Sequence, residues 1–306
     1  MSVVKLSSRS SSPHPQSRTM RSLQASVILM LALALGACSV IRLAYNQADL
    51  FVYWQLNKAF DFNDTQSART KAAIKQWFQW HRRTQLPLYA QFASRAQKEA
   101  LGPVTPALAC ERRVELEGWS RKAVDQAVPM MADIVLSLSP EQVKHLQEHQ
   151  EKTNDDFKDD YLQDDPKDRS KAATKFVLKY AELFYGRLDS DQRDQLRHDI
   201  AALPLNAQQV YDERVLYQRL FVQMIRQLHA QHATPAQAQQ ALRELFQQFF
   251  DPTQEPQRSQ RVQWINSGCL LTSNLHTRTT LEQHKKAAQR LREWEADFRL
   301  LTTQTK

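Results

Sequence analysis

The sequence predicts an all-α protein, and three observations carry that expectation. Only 5 of 306 residues are glycine, well under the ~7 % of an ordinary chain. Gln, Leu, Ala and Arg, all helix formers, dominate. Apolar residues recur at three- and four-residue spacing, with no alternating strand pattern of any length. The scarcity of glycine also excludes function classes. A dinucleotide fingerprint or a phosphate-binding loop needs closely spaced glycines so that backbone can approach phosphate. A β-sandwich or barrel needs turn glycines at regular intervals.

Before the helical body comes an address. Residues 23–37 read LQASVILMLALALGA, apolar without interruption from Val27 to Leu35. The run is too short for a membrane span, which needs about 20 residues, and suits a signal-peptide core behind the positive flank of Arg21. It ends in Leu35-Gly36-Ala37-Cys38, which resembles the lipobox of bacterial lipoprotein precursors. The resemblance implies cleavage between Ala37 and Cys38 and attack of the Cys38 thiol to take up diacylglycerol, leaving a lipoprotein that carries palmitate-type chains. Residues 1–37 are therefore expected to be removed and 38–306 to form one lipid-anchored helical domain. Residues 1–19 hold seven serines, and Met20-Arg21 is expected to be the true start. Ser39 stands where enterobacterial lipoproteins retained at the inner membrane carry Asp, so the resemblance favours the periplasmic face of the outer membrane.

Residues 1–37 contain Lys5, Arg9, Arg18 and Arg21 and no acid. Without them the formal charge falls from +8 to +4, with 37 basic against 33 acidic side chains. Nucleic acid is thus not an expected partner; the membrane, through the anchor, and envelope proteins are. Apart from Cys38, the cysteines are Cys110 and Cys269. In an oxidising compartment an even pair reads as a disulfide, the alternative being two buried thiols.

Eight to ten helices follow in order. Ile74, Trp77, Phe78 and His81 fit the i, i+3, i+4, i+7 frame. So do Val177, Tyr180 and Phe184; Tyr217, Leu220, Phe221, Met224 and Leu228; and Leu291, Trp294, Phe298 and Leu301. Prolines at 87, 103, 106, 140, 166, 204, 235, 252 and 256 fall between runs, while Pro129 interrupts one and is expected to kink it. Five runs open on a capping frame with glutamine at its fourth position: Asn63 to Gln66, Ser139 to Gln142, Asp189 to Gln192, Thr234 to Gln237 and Thr280 to Gln283. No fixed repeat period emerges. The acidic stretch from Asn154 to Asp168 lacks the glycine and closing glutamate of a calcium loop and reads as a solvated helix end or interhelical loop. Lysines 167, 171, 175 and 179 after it describe a charged helix side able to pair with those acids.

Few residues point to chemistry. His145-Leu146-Gln147-Glu148-His149 fits H-x-x-E-H, in which two histidines on one helix face bind zinc and the glutamate acts as base. The polar surroundings favour an exposed helix instead. His229 and His232 share a face but lack a third ligand. The expectation is no catalytic residue, no metal and no cofactor. The aromatic clusters are richer: Tyr45, Tyr53 and Trp54 just after the anchor, then Trp77 and Trp80 with Arg82 and Arg83. They are read either as core packing or as a groove for peptide, glycan or lipid with the arginines at its rim.

Three stretches together carry a further resemblance. Cys38 is followed by Tyr45-Asn46, Tyr53-Trp54 and Trp80-His81-Arg82. Leu138-Ser139-Pro140-Glu141-Gln142 is echoed by Gly186-Arg187-Leu188 with Gln192. The segment from Thr280 to Leu301 holds Gln283, Leu291 and Asp297. The chain resembles an uncharacterised family of proteobacterial lipoproteins, the domain of unknown function 6279, which implies an all-helical lipoprotein and no catalytic residues. Leu138–Gln142 and Leu188–Gln192 also resemble the LTxxQ element of small periplasmic stress chaperones. The expected role is a non-enzymatic binding or accessory factor in envelope maintenance. The alternatives are a chaperone-like holder of unfolded clients and a zinc hydrolase at His145, Glu148 and His149.

Overall fold

The computed structural model describes residues 40–204 and 207–304. Among them are eleven helices and no strand: α1 (Val40–Phe60), α2 (Asp64–Thr84), α3 (Leu86–Glu99), α4 (Pro106–Ser137), α5 (Pro140–Tyr161), α6 (Pro166–Tyr185), α7 (Ser190–Ala201), α8 (Ala207–Ala230), α9 (Pro235–Phe250), α10 (Gln257–Arg278) and α11 (Leu281–Thr303). Residues from Tyr45 onward form one compact unit. The sequence expected at most ten helices. One source of the difference is Gln85, a single residue that ends α2 and starts α3. Pro87, in the first turn of α3, has no N–H to give to a continuing helix. Pro129 does not end α4, which runs 32 residues through it.

The helices start where the capping frames sit. Asn63, Ser139, Asp189, Thr234 and Thr280 each accept from the backbone N–H three residues on, and the glutamine there reaches back to the cap's own N–H. Each box satisfies two backbone donors that the first helical turn would leave orphaned. The acidic stretch divides: α5 continues to Tyr161, and residues 162–165 form the connection to α6. Lys171 pairs with Asp168 at 2.7 Å.

Long α4 is the packing axis of one region. Helices α9 and α10 lie along it, and α2 and α8 also touch it. The main core joins Phe60, Val128, Val135, Leu146, Ile225 and Leu242 from α1, α4, α5, α8 and α9. Elsewhere α11 packs along α3 in the most extensive helix pair of the fold. Two smaller cores lie in that second region, one around Ala287 and Leu291 of α11 and one around Leu188, Leu196 and Ile200 at α7. A disulfide between Cys110 at the start of α4 and Cys269 in α10, with Cα atoms 5.2 Å apart, spans 159 residues. The pairing gives the two cysteines of the body a structural role.

Four of the five capping glutamines do more than cap. Gln66 and Gln142 face each other, and each amide donates to the other's carbonyl oxygen, at 3.1 and 2.8 Å. Gln66 also donates to the Ser137 carbonyl and Gln142 to that of Asp61, both at 2.8 Å. Gln192 and Gln283 repeat the arrangement. Their mutual bonds are 2.8 and 2.9 Å, with further donation to the Arg278 and Arg187 carbonyls at 3.0 and 3.2 Å. In every case the accepting carbonyl lies five residues before the partner glutamine. Each carbonyl oxygen accepts from its own N-cap as well, so each amide is satisfied on both ends. These two clasps tie α1–α2 to α4–α5, and α6–α7 to α10–α11. They are a structural repeat that no sequence period announces. Before the second clasp Gly186 ends α6 at φ +73°, a left-handed conformation that favours glycine; a Cβ there would also press the flexible Lys286 side chain, 3.1 Å away, to shift.

Candidate functional site

The aromatic residues singled out in the sequence separate into packed and exposed groups. Trp77 donates its indole N–H to the Ala123 carbonyl at 3.0 Å and stacks on His81, ring centroids 4.9 Å apart. Trp80 is half-buried beside Trp77 and His81. His81 is buried, with Tyr45 2.9 Å from Nδ1 and Tyr89 3.2 Å from Nε2. Tyr89 continues the ring series to Trp119 and Phe298. Tyr53 bonds Ser67 at 3.0 Å, and the Lys71 ammonium sits 4.4 Å above its ring. Most of this cluster is half-buried in contact with neighbouring helices, and Trp54 is exposed.

Arg82 borders the space beside this cluster with little of its surface exposed. It is buried, donating to the Leu301 carbonyl at 2.9 Å and to Asn46 Oδ1 at 3.1 Å, with its guanidinium 4.9 Å from the Tyr45 ring. Asn46 in turn donates to Gln304 at 3.3 Å. Arginine suits this place because its fork serves two acceptors and an aromatic face together. Arg83 is exposed and bonds its own helix, at the Gln79 carbonyl. The space beside this cluster is a depression of 210 Å³ lined by Tyr45, Asp49, Lys75, Phe78, Gln79 and Arg82.

The electrostatics of the trio are those of an interior. Burial, reinforced by the neighbouring Arg82 charge, lowers the His81 pKa to about 4. Burial raises Tyr45 to about 12, with Arg82 opposing, and Tyr89 is also raised by burial. Proton transfer near neutral pH favours groups that titrate close to it, and these are displaced to either side. The three rings act as packing whose polar atoms satisfy one another.

The histidine motifs make backbone contacts. His145 Nε2 donates to the Lys58 carbonyl at 3.0 Å, and Glu148 is exposed beside Lys144. Burial, with His145 and nearby cations, lowers the His149 pKa. His229 Nε2 donates to the Val135 carbonyl at 2.7 Å. Among the described residues no group of three or more His, Cys, Asp or Glu side chains is placed to hold a metal ion. Ala37 and Cys38 lie outside the described residues.

A second surface lies away from this cluster. A groove of 440 Å³ runs between α3, α6, α10 and α11, walled by Ala96, Phe176, Tyr180, Phe184, Leu275 and Leu291. Phe176 is 56 % exposed and Tyr180 48 %, and Leu183 continues the row. Its size falls in the range of sites that bury a small molecule or a short apolar segment, and contiguous exposed apolar surface of this kind marks interaction sites. The apolar spacing of α6 runs through Val177, Tyr180 and Phe184, of which Tyr180 is exposed. Phe176 and Leu183 flank Tyr180 at i, i+4, i+7 spacing and extend that residue into an exposed row.

No curated protein and no solved structure matches the chain. A family model does, over residues 58–254. That span takes in Trp80-His81-Arg82, the first clasp and Gly186 to Gln192, and leaves out Tyr45-Asn46, Tyr53-Trp54 and the segment from Thr280. The chain belongs to a family of unknown function, DUF6279.

Proposed function

We propose that the protein is a lipid-anchored periplasmic factor that acts by binding, without catalysis, in maintenance of the bacterial cell envelope. The observation that carries this reading is Leu35-Gly36-Ala37-Cys38 at the end of the apolar run from Val27 to Leu35. Core length, positive flank and box agree on a signal peptide that leaves an acylated cysteine, and two or more acyl chains hold a protein on a membrane effectively for good. Ser39 favours the outer membrane. The groove beside Phe176 and Tyr180 is the surface by which such a factor would engage an apolar segment of an envelope partner.

The test is Cys38→Ala in the producing bacterium. Acylation should vanish and unprocessed precursor accumulate; normal processing of the variant would remove the anchor from the reading. A second reading, a chaperone-like holder of unfolded clients, is favoured by the openness of the Phe176–Tyr180 row, which imposes little shape on what it meets. A photo-crosslinker at Phe176 separates the two. One or two recurrent envelope proteins support the accessory role, and a broad spread of unfolded chains supports the holder.

A further inference from the structure

The first helix carries an apolar face that the folded body leaves uncovered. Leu50 is 60 % exposed, Phe51 58 % and Trp54 51 %. With about 100° of turn per residue, these three project within one arc of some 100°. Gln47 and Lys58 share that arc and no carboxylate does. The Lys58 ammonium lies 4.4 Å from the Trp54 ring, and Phe51 packs against it at 6.1 Å. The opposite face is committed to the fold, with Tyr45 on His81 and Tyr53 on Ser67. Three large exposed apolar side chains on one helix face call for an apolar partner. No described helix is long and apolar enough to cross a membrane, so a face of this kind meets a bilayer from its surface.

The position of the face in the chain identifies that partner. Leu50 follows Cys38 by twelve residues, which even fully extended span at most about 43 Å. If Cys38 is acylated, as the reading above requires, the face is kept within reach of the leaflet that holds the acyl chains. Its composition suits that leaflet's interface. Leucine and phenylalanine enter the acyl boundary, tryptophan prefers headgroup level, and a lysine beside it extends its ammonium toward phosphate. We infer that the Leu50–Phe51–Trp54 face of α1 is a lipid-contacting surface that rests in the interface of the bilayer carrying the anchor. The membrane contact is then a protein surface as well as a lipid chain.

The experiment uses the full chain as the bacterium makes it, reconstituted into phosphatidylethanolamine–phosphatidylglycerol vesicles with and without a spin-labelled phospholipid that quenches tryptophan at interfacial depth. Mass measurement of the same sample reads acylation. The expected result is strong lipid quenching of the native protein, most of which is lost in Trp54→Phe and none in Trp264→Phe, the other exposed tryptophan. Leu50→Glu with Phe51→Glu, both at exposed sites, should lower quenching while helix content is unchanged. An acylated protein whose quenching is insensitive to Trp54→Phe overturns the inference and leaves the anchor standing. Trp54 shielded from aqueous iodide but not quenched by lipid also overturns it, since a protein then covers the face. A mature chain without acyl groups removes the basis of both readings.

Discussion

The two glutamine clasps use one set of bonds in two surroundings, and the difference shows how context weights identical chemistry. Gln66 and Gln142 close beside the largest core, whose fifteen buried apolar residues come from five helices and their connections, and Gln142 is only half-buried. Gln192 and Gln283 are both buried, between two cores of four buried residues each. Where apolar burial is plentiful, the clasp registers helices already held by packing. Where it is scarce, the polar clasp and the disulfide carry a larger share, and an amide left unpaired there has no water to turn to.

That comparison can be sharpened or broken by experiment. The largest effect should come from the disulfide, which anchors α10, the helix that ends at the second clasp. Cys110→Ser with Cys269→Ser should cost about 2–5 kcal/mol, read from urea unfolding, and hydrogen exchange should rise first around Arg278 and Gln283. Uniform loosening would deny the second region its special dependence on the staple.

Acid comes next. In the fold His81 titrates near 4, against an ordinary value of 6.5, so the unfolded chain takes up the proton first as pH falls. The stability held by neutral His81 is complete above about pH 6.5, declines below it and is gone near pH 4, a loss of about 3 kcal/mol. His276 is also lowered by burial and adds a loss of the same sign on the side of the second clasp. Unfolding measured from pH 7 to 4 should show a slope that His81→Gln reduces; an unchanged slope would place the sensitivity elsewhere.

The clasps themselves follow. Gln283→Ala strands the Arg187 carbonyl, takes one donor and one acceptor partner from the buried Gln192 amide, and should cost about 2–3 kcal/mol. Gln142→Ala breaks the same set of bonds, but water reaches that site, and about 1 kcal/mol is expected. Equal losses would mean that burial does not set the weight of the motif. Thr234→Ala is the reference, a box whose Gln237 bonds only its own cap, and should cost about 1 kcal/mol.

Local signals made the helices legible. Capping frames, prolines and apolar spacing are short-range and mark starts and stops directly, so all five glutamine frames became capping boxes. The clasps were not legible, because a glutamine at the third helical position reads the same whether or not another lies opposite, across 76 residues in one case and 91 in the other. Arg82 misled for a related reason. Beside Arg83 it reads as a surface charge, and only the arrival of the Leu301 carbonyl and Asn46 makes its interior place tenable. The groove escaped notice because Phe176 and Leu183 look like core residues until the neighbouring helices stop short of covering them.

The Arg82–Leu301 bond also bears on the order in which the molecule can assemble. A chain delivered from its N-terminus presents Arg82 219 residues before its acceptor. Until Leu301 and Gln304 follow, the Arg82 guanidinium and the Asn46 amide hold each other but lack the acceptors that join them to the far end of the fold. The contact that joins the first helices to the last is thus the longest-range of those at Arg82, and it is complete only with α11 in place. A chain stopped before α11 would keep most of its helices and lose the latch that joins the beginning of the fold to its far end.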